Sequence, residues 1–198
     1  MSRWVRVVVL LLLAASAGAQ APAAGVESAG ASHFGAPALK VTTLRGLGAV
    51  MFGGRGGWSI SPTLTLGGGA YATITEVDAR DGAVPFAPGP LDIKFECFGV
   101  ELEYATHRAA PTHVTLTSFM GGAAAHNAQD KSDDQFGETD FMLLWEPAVG
   151  VEKRITASLH VNLALSFRVV HGVEQAGLTA GDLRSAAVTL TAKFGKFR

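Results

Sequence analysis

Five charged side chains interrupt runs that otherwise alternate apolar and small residues. Arg55 lies in "MFGGRGGWSI", Glu101 and Glu103 in "GVELEYA", Glu146 in "WEPAVGVEKRI" and Arg168 in "FRVVHGV". A period of two sends successive side chains to opposite faces of a strand. Parity therefore sets Arg55 against Phe52 and Trp58, and Glu101 and Glu103 against Val100 and Leu102. It likewise sets Glu146 against Leu143 and Trp145, and Arg168 against Leu165 and Phe167. If the apolar face meets oil, all five charges point the other way, into a confined interior where they must pair. Removing one member of a buried pair typically costs about 3–5 kcal/mol. The expected chemistry is an internal charge network, with Arg55 in ion-pair reach of at least one of Glu101, Glu103 and Glu146. Gly53 and Gly57 share the Arg55 face and are expected to leave room for its guanidinium. A gated conduit or proton path is the rival use of the same residues.

Other residues invite an enzymatic reading. Ser166 and His171 belong to one run, five positions apart, so their side chains take opposite faces and cannot form the hydrogen-bonded pair that nucleophilic catalysis needs. His126 or Ser185 on other strands leave that reading open. Asp130, Asp133 and Asp134 in "NAQDKSDDQ" could meet a hard cation, but the stretch lacks the glycine and closing glutamate of a calcium loop. The six histidines show no metal-ligand spacing, so neither metal nor cofactor is expected. Cys97 is the single cysteine; it permits no internal disulfide and is expected to be buried.

The elements that must position these residues are strands. Past residue 33 no helical period persists, whereas runs rich in Val, Thr, Leu, Phe and Gly recur between turn signals. Strands are predicted near 34–43, 48–60, 63–77, 92–106, 113–127, 139–154, 158–172 and 184–197. Many reach ten residues, the length a tilted strand needs to cross a hydrocarbon layer. Their connections alternate: one rim has short turns at Ser61-Pro62, Arg108–Thr112 and Thr156-Ala157. The other has a tight turn near Arg45 and the longer "DARDGAVPFAPGPL", "AQDKSDDQFG" and "GVEQAGLTAGDL". Short turns at one end and long loops at the other fit a membrane barrel.

The alternation alone suits two opposite objects: a soluble barrel with an oily inside, of lipocalin type and holding a hydrophobic ligand, or a membrane barrel with an oily outside. The non-apolar face decides between them. In the third strand Thr65, Gly67, Gly69, Tyr71, Thr73 and Thr75 stand opposite Leu64, Leu66 and Ile74. That face is small and nearly uncharged, which suits a crowded lumen better than bulk water. Leu159, Val161, Leu163, Leu165 and Phe167 are then expected to face lipid, with Trp58, Tyr104 and Phe197 in an aromatic girdle at the short-turn rim.

Of the 198 residues, 48% are hydrophobic and 17% charged, dry for a soluble surface. Arg3 and Arg6 precede the apolar run Val7–Ala15, and Ala17-Gly18-Ala19 follows as a small-residue cleavage site, so 1–19 is expected to be a secretory signal peptide. Residues 20–32 form a flexible lead-in and 33–198 the barrel. The formal net charge of −1 offers nothing to a nucleic acid.

With eight strands, an export signal and the closing "AVTLTAKFGKFR", the chain resembles the small outer-membrane β-barrels of Gram-negative bacteria, of OmpA/OmpX-type architecture. "MFGGRGGWSI", "GVELEYA", "WEPAVGVEKRI" and "FRVVHGV" are also similar to segments of a family of exported barrels. The resemblance covers about residues 33–198 and implies an all-β, eight-stranded, antiparallel up-and-down transmembrane barrel in the cell outer membrane. It implies outer-membrane lipid as surroundings and the barrel-assembly machinery as a partner during insertion. It carries no catalytic chemistry. Relatives usually end on an aromatic that this machinery reads, whereas here Arg198 follows Phe197. The expected role is non-enzymatic, structural or through binding by the loops, with a lipid-modifying hydrolase of the same architecture and the soluble ligand-binding barrel as alternatives.

Overall fold

Runs in which every second residue is apolar can satisfy their backbone only by pairing along both edges, and eight such runs close on themselves. The computed structural model describes residues 32–75, 77, 92–128, 140–173 and 179–197. The expected signal peptide, the lead-in up to residue 31, and Asp130, Asp133 and Asp134 lie outside the described residues, as does the side chain of His126.

The strands are β1 (His33–Leu44), β2 (Leu47–Ser59), β3 (Leu64–Thr73), β4 (Asp92–Ala105), β5 (Thr112–Ala128), β6 (Asp140–Arg154), β7 (Leu159–His171) and β8 (Ser185–Lys196). Each pairs antiparallel with the next, and β8 returns to β1, giving a closed up-and-down barrel. Closure removes the unpaired edges that an open sheet would expose. The third strand is shorter than expected, ending at Thr73 rather than residue 77. Past that point the Thr75 hydroxyl accepts from the Val50 backbone amide, so a side chain replaces a ladder bond.

Leu44 and Leu47 are joined by Arg45 and Gly46, both with positive φ (51° and 75°), as a two-residue hairpin turn twisted with its strands requires. Elsewhere glycine lets strands approach. A Cβ on Gly99 would run into the Met120 carbonyl and the Gly121 backbone, its cross-strand partner.

Burial alternates along the strands, most regularly in β1. The outward residues are the large apolar ones: Phe98 is 61% exposed, Leu143 71% and Leu165 57%. Inward residues include the charged Lys40, Arg55, Glu101, Glu103, Glu146, Glu152, Arg168 and Lys193, whereas Lys94, Glu96, Lys153, Arg154 and Lys196 are exposed toward the strand ends. The expected lipid face of β7 points outward, and Cys97 is buried.

Trp58 and Tyr104 stand outward and exposed near the short-turn end, hereafter the turn end. Phe197 does not join them. Phe194 and Lys196 take the outward positions of β8, so the next residue of opposite parity turns in and stacks on the buried His160 ring, 3.7 Å between centroids. At the opposite, loop end, the connection before β8 contains a four-residue helix, α1 (Ala180–Leu183), where only a loop was expected. Thr179 and Asp182 close its first turn reciprocally as a capping box.

Candidate functional site

The lumen is layered. At the turn end Glu103, 1% exposed, comes from β4, and cations from two other strands converge on it. Arg55 of β2 donates to its Oε2 at 2.6 Å, and Lys193 of β8 reaches both carboxylate oxygens at 2.7 Å. Arg55 also pairs with Glu101, two residues along β4 on the same face. Lys193 bridges to Glu152 of β6, whose other oxygen is 2.8 Å from His160 Nδ1 and 3.6 Å from His113 Nε2. Arg108, in the turn after β4, donates to the hydroxyls of Ser59 and Thr65 and lies 3.8 Å from Glu103. Three carboxylates thus face three cations from the lysine and arginine side chains.

The glycines near Arg55 serve other neighbours. A side chain on Gly53 would strike Tyr71, and one on Gly57 would strike the backbone of Leu66 and Gly67. The residue opposite Arg55 in the ladder is Gly69, where a Cβ would sit 3.2 Å from that of Arg55.

At mid-height Glu146 of β6 receives the Lys40 ammonium at 2.6 Å and the Ser166 hydroxyl at 2.7 Å on one oxygen. Lys40 also lies 4.2 Å from the centre of the Tyr71 ring. A cavity of about 30 Å³ separates this layer from Arg55 and Glu101.

The loop-end half is apolar. Met51, Ile93, Phe95, Met142, Leu144, Val170 and Leu183 of α1 pack into one cluster with scarcely any solvent contact. Its one charge among the described residues is Arg168. Among the described residues it has no carboxylate partner: its Nε donates to the Leu183 carbonyl at 2.8 Å, and its Nη2 to the Thr43 carbonyl at 3.1 Å and the Thr42 hydroxyl at 3.2 Å. Its guanidinium lies over the Phe95 ring, 4.6 Å from the centroid.

Of the five residues read from sequence, the structure brings three together, Arg55 with Glu101 and Glu103. Glu146 belongs to a separate pair with Lys40, and Arg168 is bound by backbone oxygens. Lys40, Lys193, Glu152 and His160 complete these layers and are not among those five. The signal was present, since Lys40 falls between Leu39 and Val41 and Lys193 takes the face opposite Leu190 and Phe194.

Among the described residues Ser166, His171 and Ser185 form no nucleophile–base pair. Ser166 is committed to Glu146, His171 lies on the outer wall, and Ser185 bonds Thr42 and Thr43. Among the described residues no group of three or more His, Cys, Asp or Glu side chains is placed to hold a metal.

Comparison with solved structures finds the same architecture. Neisserial surface protein A aligns with a TM-score of 0.54 at 16% identity, covering 83% of this chain and 96% of that one. The N-terminal β-barrel domain of Pseudomonas aeruginosa OprF gives 0.51 at 10% identity, over 84% and 99%. Ail, the attachment invasion locus protein of Yersinia pestis, solved with the heparin analogue sucrose octasulfate, gives 0.50 at 8% identity, over 83% and 97%. At such identities the likeness is one of fold: this chain has the fold of the small eight-stranded outer-membrane barrels. No family model and no curated protein matches the sequence.

Proposed function

We infer that the chain is a non-enzymatic outer-membrane β-barrel whose lumen is filled by its own side chains, with a structural role in the envelope or a binding role carried by the connections at its loop end. The carrying observation is the inversion of the wall. Large apolar residues such as Phe98, Leu143 and Leu165 are exposed all round the barrel, while Glu103, Glu152 and Lys193 are buried inside. A soluble monomer rarely exposes a contiguous apolar patch beyond a few hundred Å². Lipid covers such a wall without cost, and charges on it would be penalised. A soluble barrel enclosing a hydrophobic ligand needs the opposite arrangement, an apolar lumen in place of ion-pair layers.

The hydrolase alternative needs a serine, a histidine and an acid within hydrogen-bond reach. The described residues supply Ser166 beside Glu146 without a histidine. Expression in a Gram-negative host followed by density-gradient fractionation tests the membrane reading. The chain is expected with outer membranes, released only by detergent, and migrating faster in gels when unheated than when boiled. Recovery in the soluble periplasmic fraction would overturn it. Unchanged envelope lipids on overexpression are expected; deacylated or acyl-transferred lipid would favour the hydrolase.

A further inference from the structure

The outer wall carries a shallow depression on β6 and β7. On the ladder between β6 and β7, Gly150 pairs with Ala164, and both direct whatever side chain they have inward, so backbone floors the spot. Around it rise the outward side chains of Val149, Val151, Leu163 and Leu165, with Val114 and Val188 at the two ends. The resulting groove, of about 340 Å³, runs obliquely across four strands and has an almost wholly apolar lining.

The groove's lower end leads to a cationic rim. Lys153 follows Val151 by two residues on the same outward face, about 7 Å nearer the turn end at the usual strand rise. Arg154 comes next and is exposed, as are Lys196 and His107. No acidic side chain is exposed among the described residues of this rim; Glu103 and Glu152, the nearest in depth, are sealed in the lumen. An apolar furrow leading toward the Lys153 ammonium, with Arg154 of the opposite parity exposed beside it where the strand ends, matches one chemistry: an acyl chain carrying an anionic phosphate head.

We propose that the β6–β7 groove holds an acyl chain of an anionic phospholipid from the turn-side leaflet, its phosphate bound by Lys153 with help from Arg154. The proposal rests on the membrane-barrel reading. Clustered basic residues attract anionic headgroups, and a depression in the wall holds one chain longer than the smooth surface around it.

The test uses the full barrel in nanodiscs made with equal amounts of dioleoyl phosphatidylglycerol and dioleoyl phosphatidylcholine, followed by mild detergent extraction and native mass spectrometry. Because the chains are identical, any preference reports the headgroup. The barrel is expected to retain phosphatidylglycerol over phosphatidylcholine by about thirtyfold, the scale of two basic groups near an anionic lipid. Lys153→Ala with Arg154→Ala should abolish the preference, and Val151→Trp, which fills the groove from the lipid side, should lower total retention severalfold. Lys94→Ala, an exposed cation on β4 toward the loop end, should change neither. Equal retention of both lipids, or wild-type behaviour in either test variant, would mean annular lipid only and would overturn the site while the barrel still inserts. Failure of the chain to enter nanodiscs at all would overturn the membrane reading together with it.

Discussion

The two halves of the lumen hold the same eight strands together by different means. At the turn end three carboxylates and three cations from five parts of the chain close on one another. At the loop end apolar side chains pack around the Arg168 guanidinium, which among the described residues finds carbonyl and hydroxyl oxygens and no carboxylate. The charged half carries the larger stake per residue. A buried ion pair contributes little net stability over an apolar pair of the same volume, yet losing one partner is severe because the other charge stays behind. The apolar half fails more gently, since a trimmed side chain forfeits transfer energy and leaves a cavity its neighbours can partly close on.

The largest effect should therefore come from Glu103, on which both Arg55 and Lys193 depend. Glu103→Ala is expected to destabilise the barrel by about 3–5 kcal/mol, as the loss of one member of a buried network does. Urea unfolding in liposomes, followed by tryptophan fluorescence, measures it. Arg55→Ala should come close behind, because Glu103 keeps Lys193 but buried Glu101 loses the cation it pairs with. A far smaller cost for Arg55→Ala would mean that the network is not shared in the way the distances indicate.

On the loop-end side Leu183→Ala should cost about 2–3 kcal/mol, in the lower part of the range for truncating a buried leucine. Leu183 sits on a helix of only four residues, which can settle into the space. A loss as large as that of Glu103→Ala would make the apolar plug, not the charge layer, the chief support of the fold.

Arg168→Met sharpens the contrast further. The substitution keeps the volume and leaves the Leu183 and Thr43 carbonyls without their donor, a loss of about 1–3 kcal/mol. It also removes a charge that no carboxylate among the described residues answers, which offsets part of that loss. The expected net change is therefore small, on the order of 1 kcal/mol, in the same unfolding assay. A cost matching Glu103→Ala would show that Arg168 is paired with a carboxylate outside the described residues.

These comparisons also show what a sequence makes legible. Strand count, approximate bounds and the inward parity of Arg55, Glu101, Glu103, Glu146 and Arg168 follow from alternation, a property of each strand by itself. Partner choice is a property of the closed barrel. Lys193 and Glu103 lie 90 residues apart on strands that are not neighbours, and nothing local in either strand indicates that they meet across the lumen. Glu146 prefers Lys40 for the same reason. Arg168 misled in another way: the carbonyl it binds belongs to α1, hidden in a stretch whose glycines and polar residues read as loop. Phe197 was assigned by its nearness to a rim, whereas the parity of Phe194 and Lys196 dictates the inward turn.

The smallest expected effect concerns conduction, where the answer should be close to nothing. Eight strands enclose a space just wide enough for their own side chains. Among the described residues the space left between the charged layers is about 30 Å³, room for a water molecule or two. In planar bilayers the purified barrel should show no large, steady conductance. Trimming the loop-end plug, with Phe95→Ala and Met142→Ala together, distinguishes the halves as barriers. The turn-end layer still spans the lumen through Arg55, Glu103, Lys193 and Glu152, so the double variant should remain closed. If it opens, the apolar cluster is the seal, and the charged layer, held together as it is, lets ions pass between its members.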